Sequence, residues 1–239
     1  MLDTNLKSKY MDKLLSVLAL FCVTIVFAQM NDSEVDQIGN GNYDNVIQAG
    51  FMNDSDLLQF GHENWANIEQ YGTYNQFNTT QEGDHNHAEV YQDGNRNLGG
   101  GYFLKWGIYQ QGDWNTALTT SIGDDNNSGT GQYGDENVSE IDQLGDRNDA
   151  NGYRYGNYQV GDNNTAFIGQ YGDDNFAHNE QLGDENTVTV NQNGYQHISW
   201  SIQFGNSNRN TVLQTGNDHY SNVYQLGYTN VDNVIQSNN

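Results

Sequence analysis

Three kinds of side chain in this sequence could do chemistry: carboxylates that follow glycine, six histidines and one cysteine. Carboxylates repeated at fixed intervals are candidate ligands for Ca²⁺, and paired imidazoles are candidate ligands for Zn²⁺. His197 and His219 stand 22 residues apart. The glycine–aspartate pairs are Gly83-Asp84, Gly112-Asp113, Gly123-Asp124, Gly134-Asp135, Gly145-Asp146, Gly161-Asp162, Gly172-Asp173 and Gly183-Asp184.

The spacing of these candidates favours structural roles over metal chemistry. Calcium-binding β-rolls repeat a nonapeptide, whereas the period here is 11 residues. We therefore interpret the acidic pairs as solubilising turns that also oppose premature aggregation, with weak cation binding as the alternative. The two histidines have no evident third ligand, so we expect them to replace asparagine in a repeated position. No nucleophile–base arrangement or phosphate loop stands out, and the sequence predicts neither an enzyme nor a cofactor.

The composition excludes several classes of protein. The chain has 239 residues and a formal net charge of −23, so it lacks the basic surface of a nucleic-acid binder. One cysteine cannot build a disulfide scaffold. The 29 aromatic residues (4 Trp, 16 Tyr and 9 Phe) are too many for a typical solvated coil, although an acidic and polar composition is compatible with disorder.

Glutamine defines an internal repeat that covers almost the whole chain. Of 21 glutamines, 17 lie on a lattice with a step of 11 residues, which is reset by 7 extra residues before Gln110 and by 5 before Gln159. Ser121 fills the one remaining lattice position. The lattice glutamines are Gln37, Gln48, Gln59, Gln70, Gln81, Gln92, Gln110, Gln132, Gln143, Gln159, Gln170, Gln181, Gln192, Gln203, Gln214, Gln225 and Gln236.

The interior of each unit is equally regular. Glycine follows the lattice position by two residues in all 17 units that have room for it. Asparagine follows by five residues in 15 of them, and His197 and His219 occupy the other two. These asparagines are Asn42, Asn53, Asn64, Asn75, Asn86, Asn97, Asn115, Asn126, Asn137, Asn148, Asn164, Asn175, Asn186, Asn208 and Asn230.

This pattern predicts an all-β fold. Asparagine, a small residue, an aliphatic residue and glutamine fall at offsets 5, 7, 9 and 11, the period of two expected for a β-strand. Glycine and asparagine between strands are typical of turns. Two units then form a 22-residue rung of strand, turn, strand and turn. We predict about nine rungs stacked into a β-solenoid, or amyloid-like cross-β structure, of two facing sheets, with an amide ladder along the stacked Gln and Asn side chains.

The N-terminus is typical of a secretory signal peptide. Lys7, Lys9 and Lys13 precede an apolar stretch at residues 14–27, and Ala28 offers a small residue at the cleavage point. We therefore expect a signal peptide at residues 1–28 and a repeat domain at residues 29–239. Translation beginning at either Met1 or Met11 is compatible with this assignment.

The repeat resembles the curlin repeat of bacterial curli subunits. Residues 59–70, with the sequence QFGHENWANIEQ, and residues 159–170, with the sequence QVGDNNTAFIGQ, fit that pattern, and the resemblance covers about residues 31–236. It implies a secreted subunit that self-assembles into extracellular amyloid fibres of a biofilm matrix. The implied partners are an outer-membrane secretion pore, a nucleator subunit and a periplasmic chaperone. The alternatives are the nucleating subunit of the same fibre and a monomeric secreted β-solenoid that binds calcium or a surface ligand.

The first and last rungs contain nearly identical strands. Residues 42–48 (NYDNVIQ) and residues 230–236 (NVDNVIQ) differ only at the second position. Both carry aspartate, Asp44 and Asp232, at an inward offset where most rungs have an uncharged residue. Stacking of the last rung of one subunit on the first rung of the next would bring these carboxylates together, so we predict a subunit junction at Asp44 and Asp232.

Overall fold

The computed structural model describes residues 30–99, 107–151 and 155–238. The chain divides into two units, residues 1–30 and residues 31–239. The predicted signal peptide at residues 1–28 and both candidate start methionines lie outside the described residues. Within the described part, the second unit consists of strands and turns, and no helix there could cross a membrane.

The strands, numbered in chain order, form two parallel sheets that face each other. The first sheet contains β1 (Asp32–Ile38), β3 (Asp54–Phe60), β5 (Gln76–Glu82), β7 (Leu98–Gly99), β8 (Ile108–Gln111), β10 (Asn127–Ser128), β11 (Thr130–Tyr133), β13 (Asp149–Ala150), β14 (Asn157–Val160), β16 (Phe176–Leu182), β18 (Ile198–Phe204) and β20 (Tyr220–Leu226). The second sheet contains β2 (Tyr43–Phe51), β4 (Trp65–Thr73), β6 (His87–Asn95), β9 (Thr116–Ile122), β12 (Val138–Leu144), β15 (Thr165–Tyr171), β17 (Thr187–Tyr195), β19 (Arg209–Asn217) and β21 (Val231–Ser237).

Each rung consists of one strand level in the first sheet and one in the second. The second sheet has nine strands, which gives nine rungs. Equivalent residues pair in register, as Gln59 does with Gln81 and Gln70 with Gln92. The predicted all-β solenoid of 22-residue rungs is therefore confirmed. Along the chain, successive strand levels alternate between the two sheets because each turn leads to the opposite sheet.

The interior follows the predicted alternation along each strand. On β4, Ala66, Ile68 and Gln70 are buried, whereas Asn67 and Glu69 remain partly exposed. Among the described residues, buried apolar side chains form two separate clusters. The first contains Leu57, Ala66, Ile68, Phe77, Ala88, Val90, Ile108 and Ala117. The second contains Ile141, Ala150, Ile168, Ala177, Val188, Val190, Val212 and Val223.

Both insertions interrupt the first sheet without adding a rung. Gly99 pairs with Phe77 and Ile108 pairs with Thr79, so eight residues replace one and the insertion has seven residues. Gly99 thus stays in the sheet, and the extra residues lie between Gly99 and Ile108. Residues 100–106 lie outside the described part, as do residues 152–154 of the second insertion.

The second insertion returns an aromatic side chain to the first sheet. Tyr155 is only 1% exposed, and its ring fills the space that a side chain at Gly131 would need. The Tyr155 ring also stacks on Tyr158, with centroids 6.0 Å apart. This insertion therefore contributes a buried side chain to the packing of the first sheet.

Candidate functional site

The lattice glutamines form one column in each sheet, with their side chains inside the solenoid. Apart from the level of Ser121, Nε2 of each glutamine donates to Oε1 of the next glutamine toward the C-terminus, at 2.7–3.1 Å. The same nitrogen also donates to a backbone carbonyl across the core, as Gln59 does to Tyr43 at 3.1 Å. An amide can make both bonds because its nitrogen has two hydrogens. The columns therefore join neighbouring rungs and also join the two sheets.

Ser121 interrupts the glutamine column of the second sheet. Its Oγ donates to Oε1 of Gln143 at 3.1 Å, but it does not reach Gln92 below it. Nε2 of Gln92 is buried without a hydrogen-bond partner. A buried donor without a partner is unfavourable, so this level is a local defect in the column.

The lattice asparagines also stack, but their amides bond mainly to the backbone. Asn64 Oδ1 accepts the backbone N–H of Asn86 at 2.9 Å, and Asn64 Nδ2 donates to the carbonyl of Gly83 at 2.7 Å. Amide-to-amide bonds occur only at some levels, as between Asn164 and Asn137 at 3.1 Å. The asparagines therefore form hydrogen bonds with the backbone groups of each turn. The predicted ladder included only bonds between side chains.

The acidic turns stack along both edges, with Asp124, Asp146 and Asp173 on one edge and a longer column on the other. The longer column contains Asp84, Asp113, Asp135, Asp162 and Asp184, and each Oδ1 accepts the backbone N–H of the preceding level at 2.8–3.1 Å. Aspartate thus completes the hydrogen bonding of the turn as well as carrying charge. Within residues 30–99, 107–151 and 155–238, no group of three or more His, Cys, Asp or Glu side chains is placed to hold a metal ion.

Opposite charges alternate along the edge with the shorter aspartate column. Arg96, Asp125, Arg147 and Asp174 occupy equivalent positions in four successive rungs. Arg96 and Asp125 form a bidentate pair at 2.6 Å for both bonds. The hydrogen bonds from Arg96 hold the pKa of Asp125 below its ordinary value. Two of the few basic residues in the chain therefore neutralise carboxylates on this edge.

The two histidines in the repeat lie in adjacent rungs, as the spacing predicts. The rings of His197 and His219 are parallel within 6°, with centroids 5.2 Å apart. Nδ1 of His197 accepts the backbone N–H of His219 at 3.3 Å, just as asparagine Oδ1 does at lower levels. Burial lowers the pKa of His197, which favours the neutral imidazole required for this bond.

Both ends of the solenoid present open strand edges. Among the described residues, β1 and β2 of the first rung pair only with β3 and β4, respectively, and β20 and β21 of the last rung likewise have one neighbour each. Asp44 and Asp232 lie on these terminal strands, half-buried and on the second sheet. They lie at opposite ends of the subunit, so the structure does not bring them together within one chain.

The comparison with protein families identifies the repeat. Residues 158–183 match the family model of the curlin associated repeat. Within these residues the chain is similar to the curlin repeat. No curated protein matches the chain.

The segment that matches the curlin repeat covers slightly more than one turn of the solenoid. It begins within β14, includes β15 and ends just after β16. Its glutamines, Gln159, Gln170 and Gln181, belong to the two columns described above. The curlin repeat at residues 158–183 and the other rungs therefore share one hydrogen-bonding pattern.

The interior of the solenoid also contains polar contacts that the curlin-like pattern did not reveal. Asn157 and Asn179 occupy the inward position expected to be aliphatic, and Asn179 Nδ2 donates to Asn157 Oδ1 at 2.9 Å. Asn157 Nδ2 also reaches Oγ of Ser139 in the opposite sheet at 2.9 Å. The signal was present in the sequence, because asparagine occurs twice at the aliphatic offset, in units 22 residues apart.

Proposed function

We propose that this protein is a secreted structural subunit that stacks head to tail into an extracellular, curli-like amyloid fibre. The curlin repeat and the open-ended parallel solenoid both support this role. The mechanism is templated strand addition, in which the terminal rung offers unpaired backbone N–H and C=O groups to the next chain. The function is mechanical and needs neither a catalytic residue nor a cofactor.

The polarity of the glutamine columns is the observation that carries the proposal. Every bond in a column runs from Nε2 of one rung to Oε1 of the next rung toward the C-terminus. The first rung therefore presents the acceptor oxygens of Gln37 and Gln48, and the last rung presents the donor nitrogens of Gln225 and Gln236. Only head-to-tail stacking pairs these donors with these acceptors and continues both columns through the junction.

Sequence similarity between the end strands supports the same contact. Residues 230–236 and 42–48 share six of seven residues, so Val, Ile, Asn and Gln would each stack on an identical side chain. The first-sheet strands also match at their inward positions, with Val35 and Ser33 of the next copy above Val223 and Ser221. Stacked identical side chains are the arrangement found in cross-β assemblies.

The predicted signal peptide and the curlin repeat together support export to the cell surface. In this proposal the chain passes an outer-membrane secretion pore with the help of a periplasmic chaperone, and a nucleator subunit starts the fibre. The resulting homopolymer serves adhesion and aggregation in a biofilm matrix. The protein fills either the major or the nucleating role.

Gly227 allows a direct test of head-to-tail stacking. A Cβ on Gly205, one rung below, would overlap the carbonyl oxygen of Gly227, whereas a Cβ on Gly227 meets nothing closer than Asn230 Nδ2 at 3.6 Å. Both glycines have a positive φ, 109° and 114°, so Gly205→Ala and Gly227→Ala share the same backbone strain. They differ in whether the clash falls inside the subunit or on the next one.

We expect Gly205→Ala to destabilise the subunit, and Gly227→Ala to preserve its circular dichroism spectrum while blocking seeded elongation. Thioflavin fluorescence and cross-β diffraction of the purified protein provide the readouts. Elongation of Gly227→Ala at the wild-type rate would rule out the proposed junction. A wild-type protein that stays monomeric and needs calcium to fold would instead support a monomeric calcium-binding solenoid.

A further inference from the structure

One column at the edge of the first sheet ends in histidine at the open C-terminal end. The column contains Asn31, Asn53, Asn75, Asn97, Asn126, Asn148, Asn175, His197 and His219. At its asparagine levels, Oδ1 of one residue accepts the backbone N–H of the next, as Asn31 does from Asn53 and Asn175 from His197, both at 3.1 Å. This bond fixes where the strand of the next rung begins.

The last two levels perform the same task with imidazole nitrogen. His197 Nδ1 accepts the backbone N–H of His219 at 3.3 Å, while His197 Nε2 faces the carbonyl of Asn193 at 3.3 Å. His219 Nε2 faces the carbonyl of Thr215 at 3.0 Å. A carbonyl can only accept, so Nε2 carries the hydrogen in each neutral ring and Nδ1 carries the lone pair. The lone pair of His219 Nδ1 is therefore the acceptor that completes the column.

We propose that Nδ1 of His219 accepts the backbone N–H of Asn31 from the next copy of this chain and thereby positions each incoming subunit. The proposal rests on the head-to-tail fibre described above and adds to it a specific contact and its pH dependence. Asn31 begins the column, and among the described residues no lower rung binds its backbone N–H. The contact repeats the bond already made between His197 and His219.

Protonation of His219 would remove this acceptor. A protonated imidazole carries hydrogen on both nitrogens, so Nδ1–H would face the N–H of Asn31. The titratable groups nearest this imidazole are Asp218, in the same turn, and His197, stacked below it. Asp32 of the arriving copy follows Asn31 directly and adds a further negative charge.

The expected behaviour is slower elongation as the pH falls through the range in which histidine titrates. Imidazole side chains generally titrate between pH 5 and 8. Loss of one charge-sensitive hydrogen bond at each junction should slow wild-type seeded elongation about tenfold between pH 7.5 and pH 5.5. The substitution His219→Asn would restore the amide oxygen found at lower levels. An amide oxygen does not titrate in this pH range.

Seeded elongation of the full-length mature protein at pH 7.5, 6.5 and 5.5 tests the contact, with seed and soluble protein always of the same variant. We expect His219→Asn to elongate at nearly the same rate at all three values. His197→Asn should keep the wild-type pH dependence because its acceptor lies within the subunit. His87→Asn, on the outward face of β6, provides a second control.

Each outcome distinguishes this contact from the fibre itself. Identical pH profiles for wild type and His219→Asn would overturn the role of His219 while leaving the head-to-tail fibre intact. Absence of wild-type fibres at pH 7.5, or unimpaired growth of Gly227→Ala, would instead overturn the proposed function. A profile that flattens only in His219→Asn, and not in the two controls, would support the contact.

Discussion

Arg147 donates two hydrogen bonds to Asp174, which occupies the same turn position one rung away. Nε reaches Oδ1 at 2.6 Å and the terminal nitrogen reaches Oδ2 at 3.0 Å. The pair belongs to the edge on which Arg96, Asp125, Arg147 and Asp174 alternate in sign. The same edge also stacks Asp124, Asp146 and Asp173, so these arginines lie among carboxylates.

Replacement of Arg147 by glutamine should lower the melting temperature of the subunit in low salt. Because the pair is at the surface, salt screens it, and the difference from wild type should shrink in 1 M NaCl. Arg209→Gln is the matched control, since Arg209 forms no ion pair with the described residues. Thermal unfolding followed by circular dichroism measures both, and an equal loss at both salt concentrations would contradict the electrostatic account.

Acid should remove the contribution of the same pair. The guanidinium of Arg147 holds the pKa of Asp174 below its ordinary value. An aspartate with a lowered folded pKa adds stability above its unfolded pKa, about 3.9, and loses it as the pH falls through the lower folded pKa. Asp174→Asn should therefore cost stability at pH 7 and very little in strong acid. A constant difference at all pH values would show that charge is not involved.

Charging the interior amide column should prevent assembly. Gln170 is fully buried, accepts from Gln143 at 2.9 Å and donates to Gln192 at 3.0 Å. Gln170→Glu removes the donor and buries a carboxylate, at a cost of several kcal/mol if it stays ionised. Asn191→Asp adds the same charge on the outward face of β17. We expect a much longer fibre lag time for Gln170→Glu, and similar lag times for the two variants would contradict the importance of the column.

Repair of the column at Ser121 should stabilise the subunit. Ser121→Gln would supply an Oε1 to the unpaired Nε2 of Gln92 and would continue the donor chain to Gln143. The expected gain is about 1 kcal/mol in the free energy of unfolding, measured by urea denaturation. Ser121→Met has a similar length and makes no amide bond, so it should not show this gain. Equal effects of the two substitutions would attribute any gain to packing alone.

The lattice of glutamine and glycine was sufficient to predict the strands, the rung length and the buried amides. A period of two within a period of 11 is compatible with few other structures. The spacing of the residues therefore predicted the register between rungs and the side chains that point inward. Contacts between two rungs that are separated in sequence by an insertion were harder to predict. Arg96 and Asp125 are 29 residues apart in sequence, and their pairing emerges only when the insertion between them is removed.

Contacts of side chains that lie outside the repeat were equally hard to predict from the sequence. Tyr155 lies in the second insertion, and nothing in its spacing indicates that it packs against Gly131. The hydrogen bonding of the turn carboxylates was also missed. Sequence shows that Asp113 follows a glycine, but it does not show that Oδ1 accepts the N–H of Asp84. These features depend on three-dimensional packing, whereas the strand pattern is local.

Asp149 should make the stability of the subunit depend on pH in the opposite sense from Asp174. Burial raises its pKa to about 6. The folded state then binds a proton more readily than the unfolded state, so stability falls as the pH rises from about 4 to about 6. Asp149→Asn removes this penalty and should raise the free energy of unfolding by up to about 3 kcal/mol at pH 7, with little gain at pH 3.5.

Urea denaturation at the two pH values measures this effect. Asp36→Asn, on the exposed strand β1, removes a carboxylate that is not buried and serves as the control. The result that would contradict the prediction is an equal gain at pH 7 and pH 3.5, because the penalty exists only when Asp149 is ionised.

Asp44 and Asp232 lie on the terminal strands that would meet at the proposed junction. Within the subunit, Asp44 Oδ1 accepts from Gln37 Nε2 at 2.9 Å, and Asp232 Oδ1 accepts the backbone N–H of Asn233 at 2.8 Å. Both lie at the inward offset of the second sheet, where their register partners are Ala66 and Asn210. Head-to-tail stacking would place the two carboxylates one rung apart, about 4.8 Å, inside the fibre.

Two carboxylates at that distance repel each other when both are ionised, and protonation of one of them relieves the repulsion. Elongation should therefore accelerate as the pH falls into the carboxylate range, which lies below the range in which the proposed protonation of His219 would slow it. Changing Asp44→Asn and Asp232→Asn together removes the repulsion and leaves amides that can bond across the junction. Seeded elongation from pH 5.5 to pH 3.5 should then show acceleration in wild type and in His219→Asn, but not in the double variant. Parallel profiles for wild type and the double variant would mean that these two aspartates do not meet.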